Sequence, residues 1–214
     1  MQNPKTTTTT HLVSDLISNL NWDGQPVPVR WTQGLSTPEL DRAARALNLT
    51  SFCGTGYREA IHDVEHRFLQ REPWASSCVI NTAPEGQVKG EHWVCLYYDP
   101  GSDLQHTLEY FDPAGILNFL PSVTCLMEEL SPFHPVVQNQ HPLQNALDTT
   151  SPACGFHCLY FIMCKEGLLD PALVVDASDV GVLTYPEKGL HPHLNDVHVM
   201  TVVEGLLKER NIEL

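Results

Sequence analysis

Residues 92 to 112 read HWVCLYYDPGSDLQHTLEYFD, two aromatic-rich, strand-like runs on either side of the turn-forming segment Asp99-Pro100-Gly101-Ser102-Asp103. Runs joined this way pair antiparallel. With the turn centred near Ser102, Tyr98 is expected opposite His106, Leu96 opposite Leu108, Val94 opposite Tyr110, and His92 opposite Asp112. Directly opposed residues point to one face of the sheet with Cβ atoms roughly 4.5 to 5.5 Å apart, so the His92 imidazole is placed to reach the Asp112 carboxylate. A carboxylate on one ring nitrogen fixes the tautomer and leaves the other nitrogen for a proton. The same pair is also what an ordinary strand-edge ion pair looks like.

Working outward, Ser76 to Thr82 (SSCVINT) reads as a further strand, set off from His92 by the Gly/Pro-containing linker PEGQVKG. Residues 116 to 130 suit a helix burying Leu117, Leu120, Leu126 and Leu130, and a short strand is expected around Pro135 to Gln138. Upstream, Ser36-Thr37-Pro38-Glu39 supplies a hydroxyl cap and a first-turn proline for a helix running to about Leu47. Asn195 reads as the cap of a last helix carrying Val199, Met200, Val203, Leu206 and Leu207. Residues 1 to 10 are too polar and repetitive to offset the entropy of ordering them, so they are expected to form a disordered tail. Residues 11 to 35 read as an accessory N-terminal segment with Leu12, Leu16, Ile17 and Leu20 at helical spacing, and 36 to 214 as a single domain.

The segment Ser151-Pro152-Ala153-Cys154-Gly155 opens a second decisive element. A serine cap and a proline in the first position put Cys154 in the first turn of a helix, where unpaired amides and the macrodipole favour a thiolate. Gly155 removes a side chain beside the thiol, and the helix behind it is apolar nearly all round, as a buried mount would be. Against this stands the plainer reading of Cys154 as one more small core residue among seven cysteines. Its place at the helix start favours a nucleophile.

The bulk numbers narrow the classes. At 214 residues and 42% hydrophobic the chain can bury one sizeable core. Seven irregularly spaced cysteines without an apolar leader indicate a reducing compartment rather than a secreted disulfide framework, and no apolar run is long enough to span a membrane. A net charge of −14 makes the surface as a whole a poor partner for polyanions. Arg42, Arg45, Arg58, Arg67 and Arg71 cluster, but Asp41, Glu59, Asp63, Glu65 and Glu72 are interleaved with them, the pattern of a salt-bridged helical surface. Cys154, His157 and Cys158 lack the second ligand pair of a structural zinc site, so no metal is expected and Cys158 is assigned to the core. His191, His193 and His198 are read as solvent-exposed, and Trp93 as core.

Three segments, INTAPEGQVKGEHW (80 to 93), LEYFDPAG (108 to 115) and SPACGFHC (151 to 158), resemble the His, acid and Cys motifs of the adenovirus-type maturation cysteine proteases, in the same order. SFCGTGY (51 to 57) and the helix opening at Ser36 resemble that family's N-terminal region. The resemblance implies an α+β, papain-like fold of the adenain type, a central mostly antiparallel sheet packed on the nucleophile helix. It implies Cys154 as nucleophile, His92 as base and Asp112 as the orienting acid, with no cofactor. It also implies an oxyanion glutamine before the nucleophile. The family spacing falls on Leu147 or Asp148. Gln144, ten positions before Cys154, is the nearest upstream glutamine and is assigned the role, with Asn145 to Thr150 as a longer intervening loop.

The implied substrates are viral precursor proteins cut at glycine-containing sites, inside the virion and the host cell, including its nucleus. The family's disulfide-linked activator peptide would need a cysteine near Phe133, where the nearest is Cys125, and the acidic charge speaks against the family's DNA stimulation. Two other functions fit the same residues: a peptidase acting on ubiquitin or SUMO, and a non-catalytic capsid or scaffold protein that kept the fold.

Overall fold

The computed structural model describes residues 34–57, 75–82, 92–99, 107–115, 124, 128, 136–138, 143–144, 153–169 and 192–214. The expected tail and the helix of residues 11 to 20 lie outside them, as do Arg58, Arg67, Arg71 and the hairpin turn itself. Of the helix expected over 116 to 130, Thr124 and Glu128 are described, and both are helical.

Helix α1 (Thr37–Ala46) starts where the sequence places it. The Glu39 carboxylate reaches back to accept the Ser36 N–H at 2.8 Å, one arm of a capping box that fixes the first turn. Its apolar side buries Leu40, Ala43 and Ala44, while Arg42 and Arg45 stay exposed. Strands β1 (Phe52–Tyr57), β2 (Ser76–Asn81), β3 (Trp93–Asp99), β4 (Thr107–Phe111) and β5 (Val136–Gln138) form one sheet in that order. The inner pairs β2–β3 and β3–β4 are antiparallel and the outer pairs are parallel. The α+β class is the one expected; the sheet is mixed, with the expected antiparallel pairing at its centre and a parallel strand on each side.

Both faces of the central strands are buried, which is why β3 reads as a near-continuous apolar run rather than an alternating one, while β2 also buries the polar Ser76, Ser77 and Asn81. Val79, Trp93, Cys95, Tyr97 and Phe111 belong to the core shared with α2 (Cys154–Lys165). The intervening Cys78, Ile80, Val94, Leu96, Tyr98, Leu108 and Tyr110 are equally buried on the opposite face. Every residue of α2 from Cys154 to Met163 is buried. Phe161 stacks on Phe111 with centroids 4.4 Å apart, and its edge meets Tyr97 at 6.2 Å.

The far end of α2 is fastened by charge. Lys165 Nζ donates to Glu109 Oε1 at 2.6 Å. Burial pushes the Glu109 carboxyl up, an effect that the lysine opposes. The next residue, Glu166, accepts both the N–H and hydroxyl of Thr50 and of Ser51 at 2.7 to 3.1 Å, tying the end of α2 to the entrance of β1.

Two helix starts differ from expectation. Ala153 (φ −78°, ψ −13°) takes the cap position of α2, so Cys154 is its first residue, while Ser151 and Pro152 lie outside the described residues. The C-terminal helix α3 (Pro192–Glu209) begins three residues before Asn195. Proline fits a helix start because its fixed φ is helical and it lacks an N–H that would go unpaired there. Helix α3 packs on α2, and the buried pair His157 Nε2 to Asp196 Oδ1, 2.9 Å apart, joins them. His198 is therefore not the exposed side chain expected from the sequence. It is half-buried against the Tyr160 ring, with burial first and His157 second lowering its pKa to about 4.

Candidate active site

His92 immediately precedes β3 and Asp112 immediately follows β4, so both lie at the same end of the sheet. The His92 carbonyl accepts the Thr82 N–H at 2.8 Å, which carries the β2–β3 ladder one step further and fixes its backbone. The hairpin register differs from the expected one: Tyr98 is opposite Leu108 and Leu96 opposite Tyr110, a shift of two positions. Loop length sets a hairpin's register, and the connection here is longer than a turn centred on Ser102. A shift by two keeps every side chain on its face, whereas a shift by one would have reversed them all. His92 and Asp112 become diagonal rather than direct neighbours, and a long imidazole spans the difference. His92 Nε2 and Asp112 Oδ1 are 2.6 Å apart.

Asp112 is almost fully buried (side chain 3% exposed) and His92 nearly so (17%). The same Oδ1 also accepts the Ala114 N–H at 2.8 Å. With Nε2 committed to the acid, the remaining ring nitrogen is left for a second partner, and the Cys154 thiol lies near enough to the ring to help raise its pKa. Desolvation opposes charging His92, but the hydrogen bonds to Asp112 and Cys154 and their charges outweigh it and raise its pKa from 6.5 to about 10. The structure thus brings together the three residues that the sequence proposes.

Cys154 occupies the first position of α2, where amide N–H groups have no intrahelical partners. Burial, with neighbouring charges, pushes the thiols of Cys78, Cys95 and Cys158 well up, so they stay protonated. Cys158 is fully buried in the core, as expected.

Gly155 lets two side chains approach the start of α2 closely. A Cβ there would lie 3.3 Å from Leu35 Cβ and 3.4 Å from Trp93 Cδ1. Trp93 is core, as expected, and its Nε1 donates to the Leu35 carbonyl at 2.9 Å, so neither neighbour yields freely. Gly155→Ala should cost about 1 to 3 kcal/mol by overpacking, read from the urea midpoint; an unchanged midpoint would mean Leu35 moves aside at no cost.

Gln144 is buried, and its backbone N–H donates to the Pro113 carbonyl at 2.8 Å, directly after the acid. Leu147 and Asp148 lie outside the described residues. Sequence reasoning missed the backbone partners, Ala114 N–H and Pro113 carbonyl, and the His157–Asp196 pair. Main-chain groups leave no residue-type signature, and nothing in the spacing of His157 and Asp196 marks them as neighbours.

No family model matches the chain. Over 141 residues it is 27% identical to the protease of bovine adenovirus 4, a match covering 61% of this chain and 65% of that protein. The chain therefore matches just under two thirds of that relative's length. The solved structure of the ASFV protease superposes with a TM-score of 0.50 at 18% identity, covering 83% of this chain and 70% of that one. Among the described residues, no helix is long and apolar enough to cross a membrane. In fold the chain is similar to the ASFV protease, and in sequence it resembles the adenovirus-type cysteine proteases.

Proposed function

We propose that the protein is a cysteine endopeptidase. One observation carries this reading: His92 is held by Asp112 at 2.6 Å through Nε2 while its ring also meets the thiol that opens the buried helix α2. Proton transfer from Cys154 to His92 gives a thiolate–imidazolium pair. The thiolate adds to a peptide carbonyl, and the imidazolium protonates the departing amine. Water activated by the now neutral His92 then hydrolyses the thioester, releasing a carboxylic acid and regenerating the thiol. The Cys154 N–H and the Gln144 side-chain amide are assigned to the oxyanion.

By resemblance to the adenovirus protease, the substrates are viral precursor proteins with glycine-containing cleavage sites, processed in the virion or host cell, including the nucleus. No cofactor takes part, and neither a disulfide-linked peptide nor DNA is assigned as an activator. Incubation with candidate precursors, sequencing of the new termini and labelling with a thiol-directed inhibitor test the reading. Cleavage beside glycine with label concentrated on Cys154 supports it. Label spread over all the thiols without cleavage would favour a non-catalytic capsid or scaffold role, and capture by an electrophilic ubiquitin or SUMO probe would redirect the substrate class.

The oxyanion assignment has its own test. A neutral amide can donate to a developing negative charge, whereas an ionised Asp148 would repel it and Leu147 has no donor. Gln144→Ala should cut kcat by about 100- to 1000-fold with KM little changed, while Asp148→Ala should do much less. The reverse ranking would move the role to Asp148 or another residue.

A further inference from the structure

The turn that follows β4 makes bonds in two directions. On one side, Asp112 Oδ1 accepts from His92 at 2.6 Å and from the Ala114 N–H at 2.8 Å, and the Gly115 N–H closes the turn on the Asp112 carbonyl at 2.9 Å. On the other, the Pro113 carbonyl accepts two N–H groups, from Leu143 at 2.6 Å and from Gln144 at 2.8 Å. Both lone pairs of that carbonyl are thereby used, and the Gln144 backbone is bonded one residue from the acid. Gly115 completes the turn at φ +64°, in the left-handed region where a Cβ crowds the backbone carbonyl.

We propose that the Asp112–Gly115 turn is a single positioning element for two parts of the site, holding the carboxylate behind His92 and fastening the backbone that carries Gln144, with Gly115 as the positioning residue that allows it to close. This assignment rests on the cysteine-protease reading above. Acid and oxyanion segment are then separated by one peptide unit rather than by two independently packed loops. A displacement of the turn moves both at once. Gly115 itself touches no substrate, so its influence passes through Asp112 and Pro113.

The test compares Gly115→Ala with Gly115→Asn, since asparagine tolerates left-handed φ and alanine does not. Two readouts are taken: steady-state peptide cleavage and the His92 titration followed by NMR, with Asp112 bonded to the ring and Cys154 beside it as the groups that raise its pKa. Gly115→Ala should lower kcat by about tenfold or more with KM within about twofold, because sub-ångström misplacement is felt in the chemical step. It should also move the His92 titration to lower pH, as the Asp112 bond loosens. Gly115→Asn should recover most of both effects.

A variant with the Gln144 backbone amide replaced by an ester, side chain retained, removes its N–H bond to Pro113 and weakens the Leu143 carbonyl as an acceptor. It should lower kcat several-fold and leave the His92 titration in place. A Gly115→Ala protein with reduced melting temperature but unchanged kcat and His92 titration would overturn the positioning role, as would a Gly115→Asn protein no better than alanine or a fully active ester variant. If the unaltered protein cleaves nothing, the protease reading fails, and the His92 titration alone decides whether the turn sets the acid.

Discussion

Cys154→Ala should abolish peptide cleavage and inhibitor labelling while leaving a folded protein. Of the described thiols, Cys154 alone is among the groups that raise the His92 pKa, which places it beside the base. Cys78, Cys95 and Cys158 are held as thiols by burial, so none of them can substitute as a nucleophile. Cys154 is 7% exposed, and removing one sulfur from the first turn costs on the order of 1 kcal/mol of packing, too little to unfold the domain. Circular dichroism and the melting temperature report the fold, and turnover of a peptide substrate reports the chemistry. Cleavage by a well-folded Cys154→Ala protein would exclude the mechanism.

His92→Ala should lose nearly all activity, and Asp112→Asn should keep more of it. Without the imidazole no group takes the Cys154 proton or returns it to the leaving amine. An asparagine can still hold the ring, but it stabilises the imidazolium less. The proton titration gives the sign. Asp112 is among the groups that raise His92 to about 10, so Asp112→Asn should move the His92 titration to lower pH. In the unaltered protein, the contribution of this group to stability is fully present below the unfolded value of 6.5 and is lost as pH rises through about 10. Equal, mild losses from both substitutions, with an unmoved titration, would make the pair structural.

The strands and the pairing of His92 with Asp112 were legible in the sequence because hydrophobic patterning fixes which face a side chain occupies. The same patterning cannot separate registers that differ by two positions. Tyr98 meets Leu108 rather than His106 because the loop is longer than its turn residues suggested. Helix starts were legible where capping chemistry is local, as at Ser36 and Glu39, and less so where proline competes with a polar cap, as at Pro192 and Asn195. The place of Cys154 in the first turn of a helix was legible from its short-range context. The carbonyl of Pro113 and the partner of His157 were not, since both depend on segments brought together only by tertiary packing.

Helix ends ordinarily open on their own, which would let a nucleophile in a first turn come and go independently of the rest of the molecule. Helix α2 has little freedom of that kind. Its first turn is sealed by Leu35 and Trp93, its middle by the sheet and by the His157–Asp196 pair, and its far end by Glu166 on Thr50 and Ser51. Amide exchange in α2 should therefore proceed only through whole-domain opening. Heat or denaturant should then remove the site and the fold in one cooperative step, with no partly folded, inactive form between them.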